Sequence, residues 1–185
     1  MTKFKVKDLV IMALMLTFLI VASKISFNIG VIPITLQTFA VFLISLMLGS
    51  IKASIVILIY ILIGLLGLPV FSSGGGFEYI YSPSFGFIIG FFFSALVTGL
   101  AKNMNKVGII SCTVLGLLII NICGVTYMYI IFNYHLHTAK DILWILSVGV
   151  LPFILKDLIV VIIVQIIYMR LKNIINPTYE LNNIK

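Results

Sequence analysis

From Val107 to Asn133 the chain carries no charged side chain. An uncharged apolar stretch of that length reads as a membrane-spanning segment. Comparable runs recur along the sequence, at about 8–24, 36–50, 53–68, 84–101 and 147–171. In lipid the backbone must satisfy its own hydrogen bonds, so spans are helices or closed barrels. Barrel strands alternate polar and apolar residues, and these runs do not. The expected fold is therefore all-α: a polytopic integral membrane protein with a bundle of six transmembrane helices. No linker separates the runs, so residues 1–185 form one expected domain.

Charged residues make up 9% of the sequence, against roughly 25% in soluble domains, and too many apolar side chains remain for a soluble core. The net charge of +7 could point to nucleic acid, but its distribution follows the positive-inside rule. With the N-terminus in the cytoplasm, the inner segments hold Lys3, Lys5, Lys7, Lys52, Lys102, Lys106, Arg170, Lys172 and Lys185. The outer segments hold only Lys24, Lys140 and Lys156. The expected topology is N-in/C-in, with a lipid bilayer and no nucleic acid as partner. Lys3, Lys5 and Lys7 before an apolar run resemble a secretory signal, yet the further runs favour a first transmembrane helix. Cys112 and Cys123 lie eleven residues apart on one predicted helix, roughly 16 Å, and cannot bridge each other.

In this topology the unusual polar chemistry gathers outside: Asn28, Gln37, Glu78, Tyr79, Tyr81, Asn133, His135 and Asp157. A pocket open to the outer face follows. The segment "LPVFSSGGGFEYIYSPSFGF", from Leu68 to Phe87, interrupts two apolar runs with glycines, serines and tyrosines. There is no phosphate-binding G-x-x-x-x-G-K-[ST] loop and no H-E-x-x-H, and no serine has a base partner. His135-Leu-His137 is a weak metal signal. No catalytic or metal site is expected. Gly86, Gly90, Ser94 and Thr98 recur every fourth residue, a small-residue ridge for close helix packing. Trp144 is expected at the outer boundary of the sixth helix.

Several motifs resemble one family. "IPITLQTFAVFLISLMLG", "GLLGLPVFSSGGGF", "SPSFGFIIGFF" and "LPFILKDLIVV" together look like the BioY family, the biotin-binding, substrate-specific S components of energy-coupling factor (ECF) transporters. The resemblance covers nearly the whole chain. It implies six helices, biotin bound near the outer face of a prokaryotic plasma membrane, and docking on a membrane coupling (T) subunit with a pair of cytoplasmic ABC-type ATPases. It also implies uptake by toppling of the loaded subunit, with no cofactor beyond the transported biotin.

Under that resemblance the expected ligand-binding residues are Asp157, Lys156, Gln37, Phe71, Gly74, Gly75, Gly76, Phe77, Tyr79 and Tyr81. Asp157 would accept ureido N–H groups, the aromatic side chains would wall the site, and the glycine loop would act as a lid offering backbone donors. Gln37 serves equally well as a backbone cap. The small-x-x-x-small pair Ala13 and Thr17 would dock the coupling subunit. The family usually reads F-x-P-x-D-x-x-K at the sixth helix. Here Leu155 stands for the proline and Val160 for the lysine, and Lys156 is expected to supply the missing donor. An S component for another vitamin and a self-sufficient secondary carrier remain the alternatives. An intramembrane enzyme would need a reactive pair, for which only Asp157 with Lys156 or the two loop histidines could serve.

Overall fold

The computed structural model describes residues 5–28 and 32–175. Helix α1 (Val6–Lys24) leads into a short antiparallel ribbon, β1 (Ser26–Asn28) and β2 (Pro33–Thr35), with Ser26 opposite Thr35 and Asn28 opposite Pro33. Then follow α2 (Gln37–Leu48), α3 (Ser50–Leu65), a 3₁₀ turn (Phe77–Tyr81), α4 (Phe85–Leu100), α5 (Lys106–Ile130), α6 (Ile142–Gly149) and α7 (Leu151–Ile175). The ribbon falls where the sequence suggested only a loop.

Among the described residues, four segments are long and apolar enough to cross a membrane: Val6–Lys24, Phe85–Asn103, Lys106–His135 and Leu151–Lys172. The apolar helices α2 and α3 are shorter, at 12 and 16 residues, or about 18 and 24 Å at 1.5 Å per residue. They meet at Gly49, whose φ of 83° turns the chain directly from one helix into the next.

The expected sixth helix at 147–171 is two helices. The backbone breaks at Val150 (φ −123°, ψ −51°). Asp141 caps α6 by accepting from the Trp144 amide at 3.3 Å, so Trp144 lies in the first turn of α6 rather than at the mouth of the long helix. Pro152 is the second residue of α7, where a missing N–H costs no intrahelical bond. Helix α5 also runs on past Ile130 as a π-helical turn, Ile131–His135, closed by the Leu136 amide on the Ile131 carbonyl at 2.9 Å.

Helix α4 packs chiefly on α5 and also against α2 and α3, while α7 lies against α2 and α5, and α1 against α2 and α3. The α4–α5 seam is the small-residue ridge read from the sequence. A Cβ on Gly86 would lie 2.2 Å from the Tyr127 Cβ, and one on Gly90 would lie 2.8 Å from the Ile120 Cα. Such backbones approach too closely for any larger side chain. Across the outer surface, Leu9, Leu14, Leu155 and Ile162 are exposed, which is where lipid replaces protein as the apolar partner. At the far end of the bundle Lys52 of α3 pairs with Asp8 of α1 at 2.7 Å. Both side chains are partly exposed, so the pair adds little stability.

Candidate functional site: a cavity among six segments

One cavity gathers side chains from β2, the start of α2, the loop before α4, and α4, α5 and α7. It is lined by Thr35, Gln37 and Thr38, by Ser72, Tyr79 and Ser84, by Phe87 and Phe91, by Asn121, and by Phe153, Lys156 and Asp157, with Ile32, Pro33, Ile88 and Ile120 between them. The space between them, open mouth included, measures about 520 Å³.

Helical spacing explains the α7 wall. Phe153, Lys156 and Asp157 are three and four residues apart, so they share one face. Asp157 is 6% exposed. A lone buried charge is costly, and Lys156 offsets it: its Nζ lies 2.8 Å from Oδ1. No protein donor other than Lys156 reaches Oδ1 among the described residues. The carboxylate therefore stands on the cavity wall held by a single ion pair. The Lys156 ammonium also lies 5.5 Å from the centre of the Phe153 ring, a cation–π distance.

A second polar pole is built from hydroxyls. The Tyr79 hydroxyl lies 3.4 Å from Ser72 Oγ and 3.3 Å from Ser84 Oγ, and Ser84 lies 2.8 Å from Ser82 Oγ. Each hydroxyl both donates and accepts, so this chain can present either to a ligand. Between the poles the walls are aromatic and aliphatic.

Gln37 also lines the cavity, but its amide is engaged. Oε1 accepts from Thr35 Oγ1 at 3.0 Å, and Nε2 donates to the Tyr60 hydroxyl at 2.7 Å. One N–H remains for a ligand.

The structure brings Asp157, Lys156, Gln37 and Tyr79 together and leaves the other expected binding residues off the cavity wall. Phe71 is fully buried beneath it, its ring 4.5 Å from Tyr79 and 5.4 Å from Tyr60, so it supports the wall rather than forming it. Gly74, Gly75 and Gly76 fold the loop back onto α3. A Cβ on Gly75 would lie 2.0 Å from the Leu68 carbonyl oxygen, and the Gly76 amide donates to the Gly64 carbonyl at 2.7 Å. Their role here is chain reversal, not contact with the cavity. Phe77 is 67% exposed. Tyr81 stacks on His135, with centroids 4.4 Å apart. Ala13 and Thr17 are both exposed on α1.

Val160, where the family lysine would stand, is buried in the main core and does not line the cavity, whereas Lys156 does. Ser72, Ser84, Thr35, Thr38 and Asn121 were not read as site residues from the sequence. Asn121 carried the clearest signal, a carboxamide in the middle of the charge-free run. Its Nδ2 donates to the Leu117 carbonyl of its own helix at 3.0 Å. The serines and threonines carried none, being common in loops and helix ends.

Comparison with known proteins places this architecture. The family model described as BioY family matches residues 1–177. The chain belongs to the BioY family. The biotin transporter BioY of Thermotoga maritima is 35% identical over 159 residues, 84% of this chain and 90% of that protein. Biotin transporter BioY2 of Lactococcus lactis subsp. cremoris is 30% identical over 181 residues, 96% of this chain and 97% of that protein. The crystal structure of an S-component for biotin from an ECF-type ABC transporter matches with a TM-score of 0.80 at 26% identity, covering 91% of this chain and 92% of that one.

Proposed function

We propose that this protein is the biotin-binding S component of an ECF-type ABC transporter, a multi-pass membrane protein and not an enzyme. It captures biotin from the outer face and depends on a separate coupling subunit and a pair of cytoplasmic ATPases for energy. Six crossings with both termini inside fit the charge distribution, with α6 as a short outer segment ahead of α7. No cofactor is required by this activity.

The observation that carries the reading is the buried Asp157 carboxylate, paired with Lys156 and with no other protein donor among the described residues, on the wall of a largely apolar cavity. Biotin has a ureido ring with two N–H donors and a carbonyl, an apolar bicycle and tail, and a terminal carboxylate. Asp157 accepts from the ureido N–H groups. Lys156 donates to the ureido carbonyl, while Phe87, Phe91 and Phe153 cover the apolar atoms. The Ser72–Tyr79–Ser84 hydroxyls receive the carboxylate end, as donors only. Each pole is satisfied by the other molecule, which is what makes burial of both tolerable.

The test is calorimetric titration of the purified, detergent-solubilised protein with biotin, beside mass spectrometry of small molecules it retains. Saturable binding of biotin supports the reading. Retention of a different vitamin with no biotin binding overturns it. Co-expression with a coupling subunit and its ATPases should yield a joint complex, whereas uptake by the chain alone would favour a self-sufficient carrier.

A further inference from the structure

Lys24 and Ser23, at the outer end of α1, do not themselves line the cavity, yet they hold the segment on which part of its wall is built. The Lys24 ammonium donates to the Phe71 carbonyl at 2.6 Å. The Ser23 hydroxyl lies within hydrogen-bond distance of the Val70 carbonyl, which also receives the Tyr60 hydroxyl at 3.0 Å. Ser23 and Tyr60 are fully buried.

Val70 and Phe71 are thus a node. Tyr60 connects the node to Gln37 on the cavity wall. Phe71 and Gly74 exchange backbone bonds at 2.9 and 3.3 Å, closing a tight turn whose first tip residue, Ser72, lines the cavity. The Phe71 ring supports Tyr79, the centre of the hydroxyl pole. A shift of the node would therefore move Ser72, Tyr79 and Gln37 together.

The bland role for Lys24 is that of a cation at a helix C-terminus, where it complements the helix dipole. That role needs no partner, and the bond to a specific carbonyl of a distant loop exceeds it. Of the α1 span, 22% is buried inside the protein. Its outer end is fastened to the loop by polar bonds.

We infer that Lys24, with Ser23, is a positioning residue for the ligand cavity: it straps α1 to the Val70–Phe71 carbonyls and so sets the residence time of the bound ligand. The inference rests on the biotin-binding reading for its ligand readout, and has a second readout that does not.

The experiment compares Lys24→Met, Lys24→Arg and Ser23→Ala with the parent. Biotin dissociation is followed by chase with unlabelled biotin. Backbone hydrogen exchange of segment 70–76 is measured in ligand-free protein. Lys24→Met should speed dissociation about tenfold, the loss of one charge-assisted hydrogen bond, and raise exchange in 70–76 without raising it across α4 and α5. Lys24→Arg should restore both, because a guanidinium reaches the same carbonyl. Ser23→Ala should give a smaller effect in the same direction, and it stands in if Lys24→Met fails to fold. Parental dissociation and parental exchange in both Lys24→Met and Ser23→Ala overturn the strap. So does an arginine variant as impaired as the methionine one. If the parent itself does not bind biotin, the proposed function fails while the exchange measurement still decides the strap.

Discussion

Lys156 and Asp157 are consecutive residues on α7, about 100° apart around the helix, yet the Lys156 Nζ reaches to 2.8 Å from Asp157 Oδ1. The pair stands on the cavity wall as one polar unit.

Replacing either member should weaken biotin binding. Lys156→Met and Asp157→Asn are each expected to lower affinity about tenfold to a hundredfold, as for a charge-assisted hydrogen bond of roughly 1.5–3 kcal/mol. The double variant should lose less than the sum, since each single change leaves a buried partner unpaired. Calorimetric titration of the four proteins measures the coupling. Additive losses would show that the two residues act separately. Val160→Lys should not rescue Lys156→Met, because position 160 lies in the core rather than on the cavity wall.

The glycine run should behave as a folding element. Gly75→Ala places a Cβ 2.0 Å from the Leu68 carbonyl oxygen, and the backbone must shift to relieve it. A loss of about 1–3 kcal/mol is expected, read as a lowered midpoint in thermal unfolding in detergent. Gly74→Ala and Gly76→Ala meet open space but hold φ of 128° and 111°, so their cost is backbone strain of a similar or smaller size. A variant that melts like the parent but no longer binds biotin would instead restore the lid role.

The exposed α1 face is open to a partner. Ala13→Leu with Thr17→Leu should leave biotin affinity within about twofold, as neither residue touches the cavity, and should reduce co-purification with the coupling subunit. Bulky side chains would hold a partner helix away from a small-residue face. Co-purification at full yield would place docking elsewhere.

Asn121→Leu should lower affinity by roughly threefold to tenfold, the worth of one neutral hydrogen bond, while leaving the midpoint of unfolding nearly unchanged, because its present bond is to its own helix. Parental affinity in this variant would make Asn121 a lining residue only.

Hydropathy and charge, read along the chain, determined that this protein is helical and that its helices are apolar enough for a membrane. Those properties are local: a residue is apolar or charged whatever surrounds it, and lipid enforces the helix. The Asp157–Lys156 pair was legible for the same reason, since charges near a span must have a use. The tertiary structure decided what no local pattern carries. Val150 splits a span that hydropathy reads as continuous, because a helix break costs a few backbone bonds and no apolar surface. Phe71 and the three glycines, all in one loop, are turned beneath or away from the cavity. Ser72, Ser84, Thr35 and Asn121, from separate elements, are brought to its wall. A side chain's direction depends on the node that fixes its backbone, and here that node is made by Lys24, Ser23 and Tyr60 from two other helices.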